Sequence, residues 1–360
     1  MNMKRIIIAF LALFLAVAAV AQPPANYYNS ANGLTGDQLK VALHNIIKGH
    51  TSITYKEIWG AFYYTDKKPN TNNVVWDMYS DRPGGTPPYT FYLGTSQCGS
   101  YGGEGDCYNR EHSWPESWFN SDGTARTDLH HIFATDGYVN NRRGNYAFGE
   151  VQNASWTSQN GSKLGSCKPS LGFSGTVFEP IDEYKGDFAR AIMYMSVRYY
   201  SEDSSWGNSD MTTKSVIKPW AITMLLRWNK QDPVSQKEIN RNNVIYNNYQ
   251  HNRNPFVDHP EYADMIWDPN WTDVDEFQDS DIAVFPNPVC RGGEVSFDFG
   301  QQQVDQVTLC DISGRILLKI DIYNDVRTIF ALPSNIRSGF YFLQIYQGGR
   351  IVMNSKLLII

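Results

Sequence analysis

Residues of the types that hydrolytic enzymes use are concentrated in one stretch of the chain. Glu111 and His112 are adjacent in the run NREHSWP at 109–115, and Asn140 lies in the run VNNRRGN at 139–145. A neutral imidazole deprotonates water near neutral pH, and carboxylate and amide oxygens are ligands for a hard divalent cation. Hydrolysis of a phosphodiester needs both, because charge builds on the phosphate and on the leaving oxygen. The stretch therefore predicts a metal-assisted hydrolytic site.

The spacing of these residues constrains the elements that carry them. Neighbouring side chains of a strand point to opposite faces, so Glu111 and His112 can serve one site only where their strand ends or bends. Pro115 follows closely and is typical of such an ending. We expect Asn140 on a helix that follows. Each residue alone has an ordinary structural interpretation, and it is their concentration between 107 and 145 that favours a site.

The elements around this stretch indicate an α+β fold. Apolar residues recur at helical spacing over 37–48, in a segment that follows Lys185, and from Pro219 through Trp228. The segment between, roughly 76–165, is rich in Gly, Asn and aromatic residues. It predicts loops and short strands, which is where sites often lie on a rigid scaffold.

The chain divides into four predicted segments. Residues 1–21 combine a basic start with an apolar run from Ile6 to Ala21, which predicts a secretory signal peptide. Residues 22–268 form one large mixed domain, and 269–281 an acidic linker. Residues 282–360 contain short β-like runs with turns between them, which predict a small β-sandwich. The mature chain is expected to have no transmembrane segment.

Composition excludes several classes of protein. The 360 residues are 42% hydrophobic and 19% charged, with a mean hydropathy of −0.43. These values exclude a polytopic membrane protein and a disordered chain. The net charge of −6 disfavours binding of nucleic acid through bulk electrostatics. A polyanion must then be held by a local site, for which a groove lined by four arginines is predicted: Arg110, Arg126, Arg142 and Arg143.

The five cysteines can form disulfides because export exposes them to an oxidising environment. Cys98 and Cys107 bracket a Gly-rich loop that a local bridge would close. Cys290 and Cys310 are a second candidate pair, which would leave Cys167 single. An odd number requires at least one unpaired or intermolecular thiol.

The run at 109–115, with DLHH at 128–131 and the run at 139–145, resembles the endonuclease I family. Its members are secreted or periplasmic bacterial nucleases with a ββα-metal (His-Me) finger. The resemblance covers most of residues 35–268, through further matching runs: FEP at 178–180, KGDFAR at 185–190, DPV at 232–234, RN at 241–242 and NRNPFVDHPE at 252–261.

The resemblance implies roles for individual residues. His112 would be the general base, and Glu111 and Asn140 would hold a single Mg²⁺, with Mn²⁺ or Ca²⁺ as replacements. An arginine would contact the phosphate, and both Arg126 and Arg143 are candidates. We favour Arg143, since it lies inside a matching run, with a structural salt bridge as the alternative.

Two further residues and one competing register complete the predicted site. Asp128 and His130 are candidates for orienting the site, or for a structural role. The segment LHHI at 129–132 followed by Asn140 or Asn145 also resembles the core of an HNH nuclease, which would make His131 the base. The length of the first match and the carboxylate beside it favour His112.

The C-terminal segment resembles a different family. The runs VFPNP at 284–288, DISGR at 311–315 and SGFY at 338–341, with the ending KLLII, are similar to the sorting domain of the type IX secretion system. The resemblance implies passage through the periplasm and the outer membrane with that machinery as partner, and a secreted or cell-surface location. The alternative is a β-module that binds glycan or protein.

Together these observations predict a secreted, Mg²⁺-dependent endonuclease, monomeric, acting on DNA and/or RNA with little sequence preference. One alternative is a surface binding protein that keeps the fold and has lost catalysis. Another is a metal-dependent hydrolase of a different phosphate ester.

Overall fold

The computed structural model describes residues 23–268, 283–299, 304–311, 314–322, 327–347 and 350–360. The chain divides into two compact units, Met1–Pro269 and Asn270–Ile360. The predicted signal peptide and acidic linker lie outside the described residues. Within the described ranges, no helix has the length and apolarity that crossing a membrane requires.

The first unit is built around buried helices. Its helices are α1 (Gly36–Ile47), α2 (Ile58–Thr65), α3 (Gly137–Arg143), α4 (Lys185–Arg198), α5 (Pro219–Gln231), α6 (Gln236–Ile245), α7 (Pro255–Asp258) and α8 (Tyr262–Trp267). Helix α4 is buried along its whole length. The helical spacing predicted α1, α4 and α5 to within a few residues.

Short strands surround the helices. They are β1 (Tyr108–His112), β2 (Ile132–Asp136), β3 (Ala147–Phe148), β4 (Val151–Thr157), β5 (Lys163–Cys167), β6 (Thr176–Glu179), β7 (Thr212–Thr213) and β8 (Val216–Ile217). Strands β1 and β2 form an antiparallel pair, and a four-stranded sheet has the order β3-β6-β5-β4. The fold class is therefore mixed α+β, as predicted.

The second unit consists of strands alone among its described residues. They are β9 (Ala283–Phe285), β10 (Glu294–Asp298), β11 (Gln306–Cys310), β12 (Ile316–Asp321), β13 (Arg327–Ala331), β14 (Gly339–Gln347) and β15 (Arg350–Ile359). Two sheets, β13-β10-β9 and β12-β11-β14-β15, share one apolar core to which Phe297, Leu309 and Leu343 contribute. Two sheets packed over one core form the small β-sandwich that the sequence predicts.

The cysteines follow the prediction in part. Cys98 and Cys107 form a disulfide that closes the Gly-rich loop. The expected pairing of Cys290 with Cys310 is wrong, since both are free thiols, Cys290 exposed and Cys310 buried. The Cys310 sulfur lies 3.5 Å from Oε1 of Gln344 on the neighbouring strand β14. Cys167 is the third free thiol and is buried.

Candidate active site

A ββα unit brings the predicted site residues together. Strand β1 pairs antiparallel with β2, so that Glu111 lies opposite Phe133 and His112 opposite Ile132. Strand β2 leads directly into α3, whose first turn is capped by a 2.8 Å hydrogen bond from Val139 N–H to Asp136 Oδ1. The strand ends at His112, as expected if Glu111 and His112 serve one site. Both can therefore reach one cleft.

The cleft at the end of β1 has a volume of about 310 Å³. Its lining includes all three residues predicted for the metal and the base, in the set Tyr55, Asn109, Arg110, Glu111, His112, Pro115, Glu116, Ser117, Asn140, Arg143, Gly144 and Asn145. Asn140 donates a 3.1 Å hydrogen bond from Nδ2 to the Arg110 carbonyl. That bond pins α3 to β1 and turns the Asn140 amide oxygen away from the strand.

Glu111 is held from the protein interior. Its side chain is 1% exposed, and its Oε1 accepts hydrogen bonds from the Tyr79 hydroxyl at 2.9 Å and from Arg143 Nη1 at 3.1 Å. Burial raises the pKa of Glu111 to about 7, against the opposing effects of the Arg143 guanidinium and the Tyr79 hydrogen bond. Both donors bond Oε1, and no described residue donates a hydrogen bond to Oε2. One carboxylate oxygen is therefore left for a ligand in the cleft.

His112 is held in one tautomer by a backbone carbonyl. Its Nε2 lies 3.1 Å from the Arg126 carbonyl oxygen, which only accepts hydrogen bonds. In the neutral ring Nε2 therefore carries the hydrogen, and the lone pair is on Nδ1, 3.6 Å from Glu116 Oε1. Burial lowers the pKa of His112 below its usual range. The ring is thus neutral near pH 7, with a basic nitrogen on the side of Glu116.

The donor set of the cleft fits a hard divalent cation. Glu111 Oε2 and the Asn140 amide oxygen are neutral or anionic oxygen donors, and Mg²⁺ is commonly bound by one or two such groups together with waters and phosphate oxygens. Across the described parts of the chain, no cluster of three or more His, Cys, Asp or Glu side chains is placed to bind a metal ion. A centre made of one carboxylate and one amide does not depend on such a cluster.

The two arginine candidates differ in what they contact. Arg143 is 1% exposed, and it donates to Glu111, to the His112 carbonyl at 2.8 Å and to the Ser113 carbonyl at 2.6 Å. These contacts match the salt-bridge alternative considered for it. Arg126 is 38% exposed, and its Nε donates to Glu116 Oε2 at 3.1 Å. The geometry therefore favours Arg126 as the arginine with donors to offer a phosphate.

The four arginines that the sequence places in one groove differ in their position relative to the cleft. Arg110 and Arg143 line the cleft, and Arg126 adjoins it across the ring of Tyr55. Arg142 is exposed on the outer face of α3, where it donates to the Tyr138 hydroxyl. Residues two apart on a helix face different directions, so Arg142 points away from the side of Asn140.

The competing base, His131, lies behind the cleft. It is fully buried, its Nε2 is 2.7 Å from the Ala125 carbonyl oxygen, and its ring centroid is 5.4 Å from that of His112. Burial lowers the pKa of His131 to about 3. A group without solvent or cleft access is poorly placed to take a proton from a substrate water.

Asp128 and His130 connect the loop between β1 and β2 to the interior. Asp128 is fully buried and accepts hydrogen bonds from the hydroxyls of Tyr194 and Tyr199 and from Gln250. His130 Nε2 lies 3.2 Å from the Asn252 carbonyl. These contacts anchor the segment that precedes β2, so any effect of Asp128 and His130 on the site is exerted through the backbone.

Tyr79, Tyr55 and Glu116 contact Glu111 or His112, and none of them was predicted as a site residue from the sequence. Tyr79 bonds Glu111, and Tyr55 packs against His112 with a ring-centroid separation of 6.2 Å. Both come from segments far upstream without periodicity that would place them. Glu116 lies four residues after His112, so its proximity to the imidazole was open to prediction from the short spacing.

Comparison with known proteins shows the families to which the two parts of the chain belong. Residues 35–261 match the family model described as Endonuclease I, and residues 283–360 match that of the secretion system C-terminal sorting domain. The chain belongs to the endonuclease I family and carries a type IX sorting domain at its C-terminus. It is a secreted nuclease.

Individual relatives carry consistent names. The chain is 41% identical over 265 residues to a protein named extracellular ribonuclease from Bacillus subtilis (strain 168), covering 70% of this chain and 83% of the relative. It is 28% identical over 131 residues to a protein named endonuclease-1 from Buchnera aphidicola subsp. Baizongia pistaciae (strain Bp), covering 36% and 46%.

Proposed function

We propose that this protein is a divalent-metal-dependent endonuclease that hydrolyses phosphodiester bonds in DNA and RNA with little sequence preference. The observation that carries the proposal is the cleft in which a base and a cation site face the same space. His112 presents a neutral Nδ1 there, and Glu111 and Asn140 present oxygen atoms. The name extracellular ribonuclease of one relative supports RNA as a substrate, and the name endonuclease-1 of another supports internal cleavage.

His112 acts as the general base in this mechanism. Its Nδ1 takes a proton from the attacking water, and the Nε2–H bond to the Arg126 carbonyl keeps the ring in the required tautomer and favours the protonated state that forms. Glu111 and Asn140 would hold a divalent cation, and their oxygen ligands favour Mg²⁺. The cation would supply positive charge for the phosphate and the leaving oxygen. Tyr79 and Arg143 fix Glu111 for this purpose.

Arg126 offers its guanidinium to the phosphate. Its Nε is paired with Glu116, so the terminal nitrogens are the donors that can face substrate. Contacts to phosphate oxygens carry no information about the bases, which accounts for low sequence preference. The type IX sorting domain makes the secretion machinery a partner during export, and we propose that the protein acts as a monomer.

Cleavage assays with matched histidine variants test this function. Supercoiled plasmid and a structured RNA are incubated with the purified protein in Mg²⁺ and in EDTA, beside His112→Ala and His131→Ala. We expect cleavage only with metal, a loss of roughly 10²–10⁴-fold in His112→Ala, and substantial activity per folded molecule in His131→Ala. Tryptophan fluorescence of each variant gives the folded fraction.

Other outcomes of the cleavage assays would contradict parts of the proposal. An inactive but folded His131→Ala beside an active His112→Ala would show that the base is misassigned while the nuclease function stands. Cleavage that is unchanged in EDTA would refute the metal. Binding of either nucleic acid without cleavage under any divalent cation would refute catalysis in favour of a binding protein.

A further inference from the structure

The ring of Tyr55 lies between two guanidinium groups at the edge of the cleft. The Cζ atom of Arg110 is 3.7 Å from the ring centroid, and that of Arg126 is 3.9 Å from it. Two planar guanidinium groups this close to one centroid do not fit side by side on one face, so they occupy opposite faces. Tyr55 thus attracts both cations while keeping them apart.

Arg110 is anchored by further contacts, and it holds the ring of Tyr55 in place. Arg110 donates from Nη1 to the Tyr55 carbonyl at 3.0 Å, and its Cζ lies 4.4 Å from the ring centroid of Trp59. The Arg110 carbonyl accepts the hydrogen bond from Asn140. Tyr55 is therefore tied to the same strand and helix that carry the proposed cation site.

Arg126 is held by Glu116 as well as by the ring of Tyr55. Glu116 Oε2 accepts from Arg126 Nε at 3.1 Å, and Glu116 Oε1 lies 3.5 Å from the Tyr55 hydroxyl oxygen. An exposed arginine without such contacts samples many rotamers, and ordering it on substrate binding costs conformational entropy. With Nε paired to the carboxylate and one face on the ring, the terminal nitrogens remain as a two-pronged donor.

We propose that Tyr55 and Glu116 are positioning residues that hold the Arg126 guanidinium ready for a substrate phosphate. The three side chains are called the Arg126 clamp. The inference rests on the proposed function, in which Arg126 contacts the phosphate. Arg126 also supplies the carbonyl that bonds His112, so the clamp links the position of the phosphate contact to that of the base.

Glu116 could instead act directly on His112, whose Nδ1 is 3.6 Å from Glu116 Oε1. It could also shield Arg126 from substrate, because its carboxylate competes with a phosphate for the same guanidinium. These alternatives predict different results. Action through His112 persists when Arg126 is removed, and shielding makes the Glu116 variants more active.

Double-mutant cycles test the clamp in the full chain. Tyr55→Leu and Glu116→Ala are each made with Arg126 intact and with Arg126→Ala, and kcat/KM is measured on plasmid and RNA in Mg²⁺. We expect each to lower kcat/KM by roughly five- to tenfold when Arg126 is present and to have little further effect in Arg126→Ala. Tyr55→Phe keeps the ring and should retain activity to within about threefold.

Tyr64→Leu is the matched control, since Tyr64 is 67% exposed on α2, and it should leave kcat/KM unchanged. The same cycle is measured on the Kd of a labelled oligonucleotide in EDTA. A parent protein that does not cleave then refutes the proposed function, while the binding cycle still decides the clamp. Additive effects, an unchanged Arg126→Ala variant or a more active Glu116→Ala variant would each overturn the proposal.

Discussion

Asp77 is a buried carboxyl group whose replacement should stabilise the protein at high pH. Its side chain is 2% exposed, and its Oδ1 accepts a 2.8 Å hydrogen bond from Tyr79 N–H. Within the described part of the chain, Oδ2 has no hydrogen-bond partner. Burial and the neighbouring Asp136 carboxylate raise the pKa of Asp77 from 3.8 to about 7. Asp77→Asn keeps the acceptor for Tyr79 and removes the charge.

The sign and size of the effect follow from proton linkage. Between pH 4 and 7 the folded protein binds a proton at Asp77 that the unfolded chain releases, so the free energy of unfolding falls as pH rises. A shift of about three pKa units corresponds to about 4 kcal/mol. The contribution is lost through this window and stays lost above it. Asp77→Asn should therefore gain about 4 kcal/mol over the parent protein between pH 4 and pH 8.

Urea unfolding followed by tryptophan fluorescence measures this difference. Nine of the ten tryptophans precede residue 270 and lie in the first unit, so the change in fluorescence reports mainly on that unit. The unfolding free energies of parent and variant are compared at several pH values, with the exposed Asp210→Asn as the control for a pH-independent difference. Parallel curves for the parent and Asp77→Asn, or a variant less stable than the parent at pH 8, would refute the reasoning.

Three further predictions concern the two arginines of α3, the effect of salt on cleavage, and the free thiols. Arg143→Met should lower the unfolding free energy by about 3–5 kcal/mol, because it leaves the buried Glu111 carboxylate without its ion-pair partner. Arg142→Met, at an exposed position of the same helix, should change it by under about 0.5 kcal/mol. Equal losses for the two variants in urea unfolding would contradict this prediction. Cleavage rates should fall as salt rises from low to physiological concentration, because phosphate contacts release counterions, and a constant rate would count against phosphate-directed binding. A thiol reagent should modify Cys290 rapidly in the folded protein and reach Cys167 and Cys310 only after unfolding. Fast modification of all three thiols would show that Cys167 and Cys310 are accessible in the folded protein.

The sequence predicted those features that depend on local pattern. Helices α1 and α4 have one continuous apolar spacing each, and their bounds follow from it. The sequence predicted an end of the strand near His112 from Pro115 and from two adjacent candidate side chains, and β1 ends at His112. The family resemblance then located the cleft, since its matching runs carry the three residues that line it together.

The features that the sequence left open or missed depend on tertiary contacts. Whether Arg143 faces solvent or the core is not encoded in α3, which has seven residues and too few turns to show an apolar face. The contact of Tyr79 with Glu111 joins residues 32 apart in segments without periodicity. Cys290 lies between strands and Cys310 on β11, so the distance between them is likewise set by the tertiary fold, which residue spacing does not determine.

The arrangement of the cleft explains how adjacent residues can hold two different roles. Glu111 and His112 are neighbours at the end of β1, and each is held by its own contacts. Glu111 is fixed from the core by Tyr79 and Arg143, while His112 is fixed from the loop by the carbonyl of Arg126. Because the supports are separate, a change at Arg143 should affect the proposed cation site first, and a change in the loop should affect the proposed base and the proposed phosphate contact together.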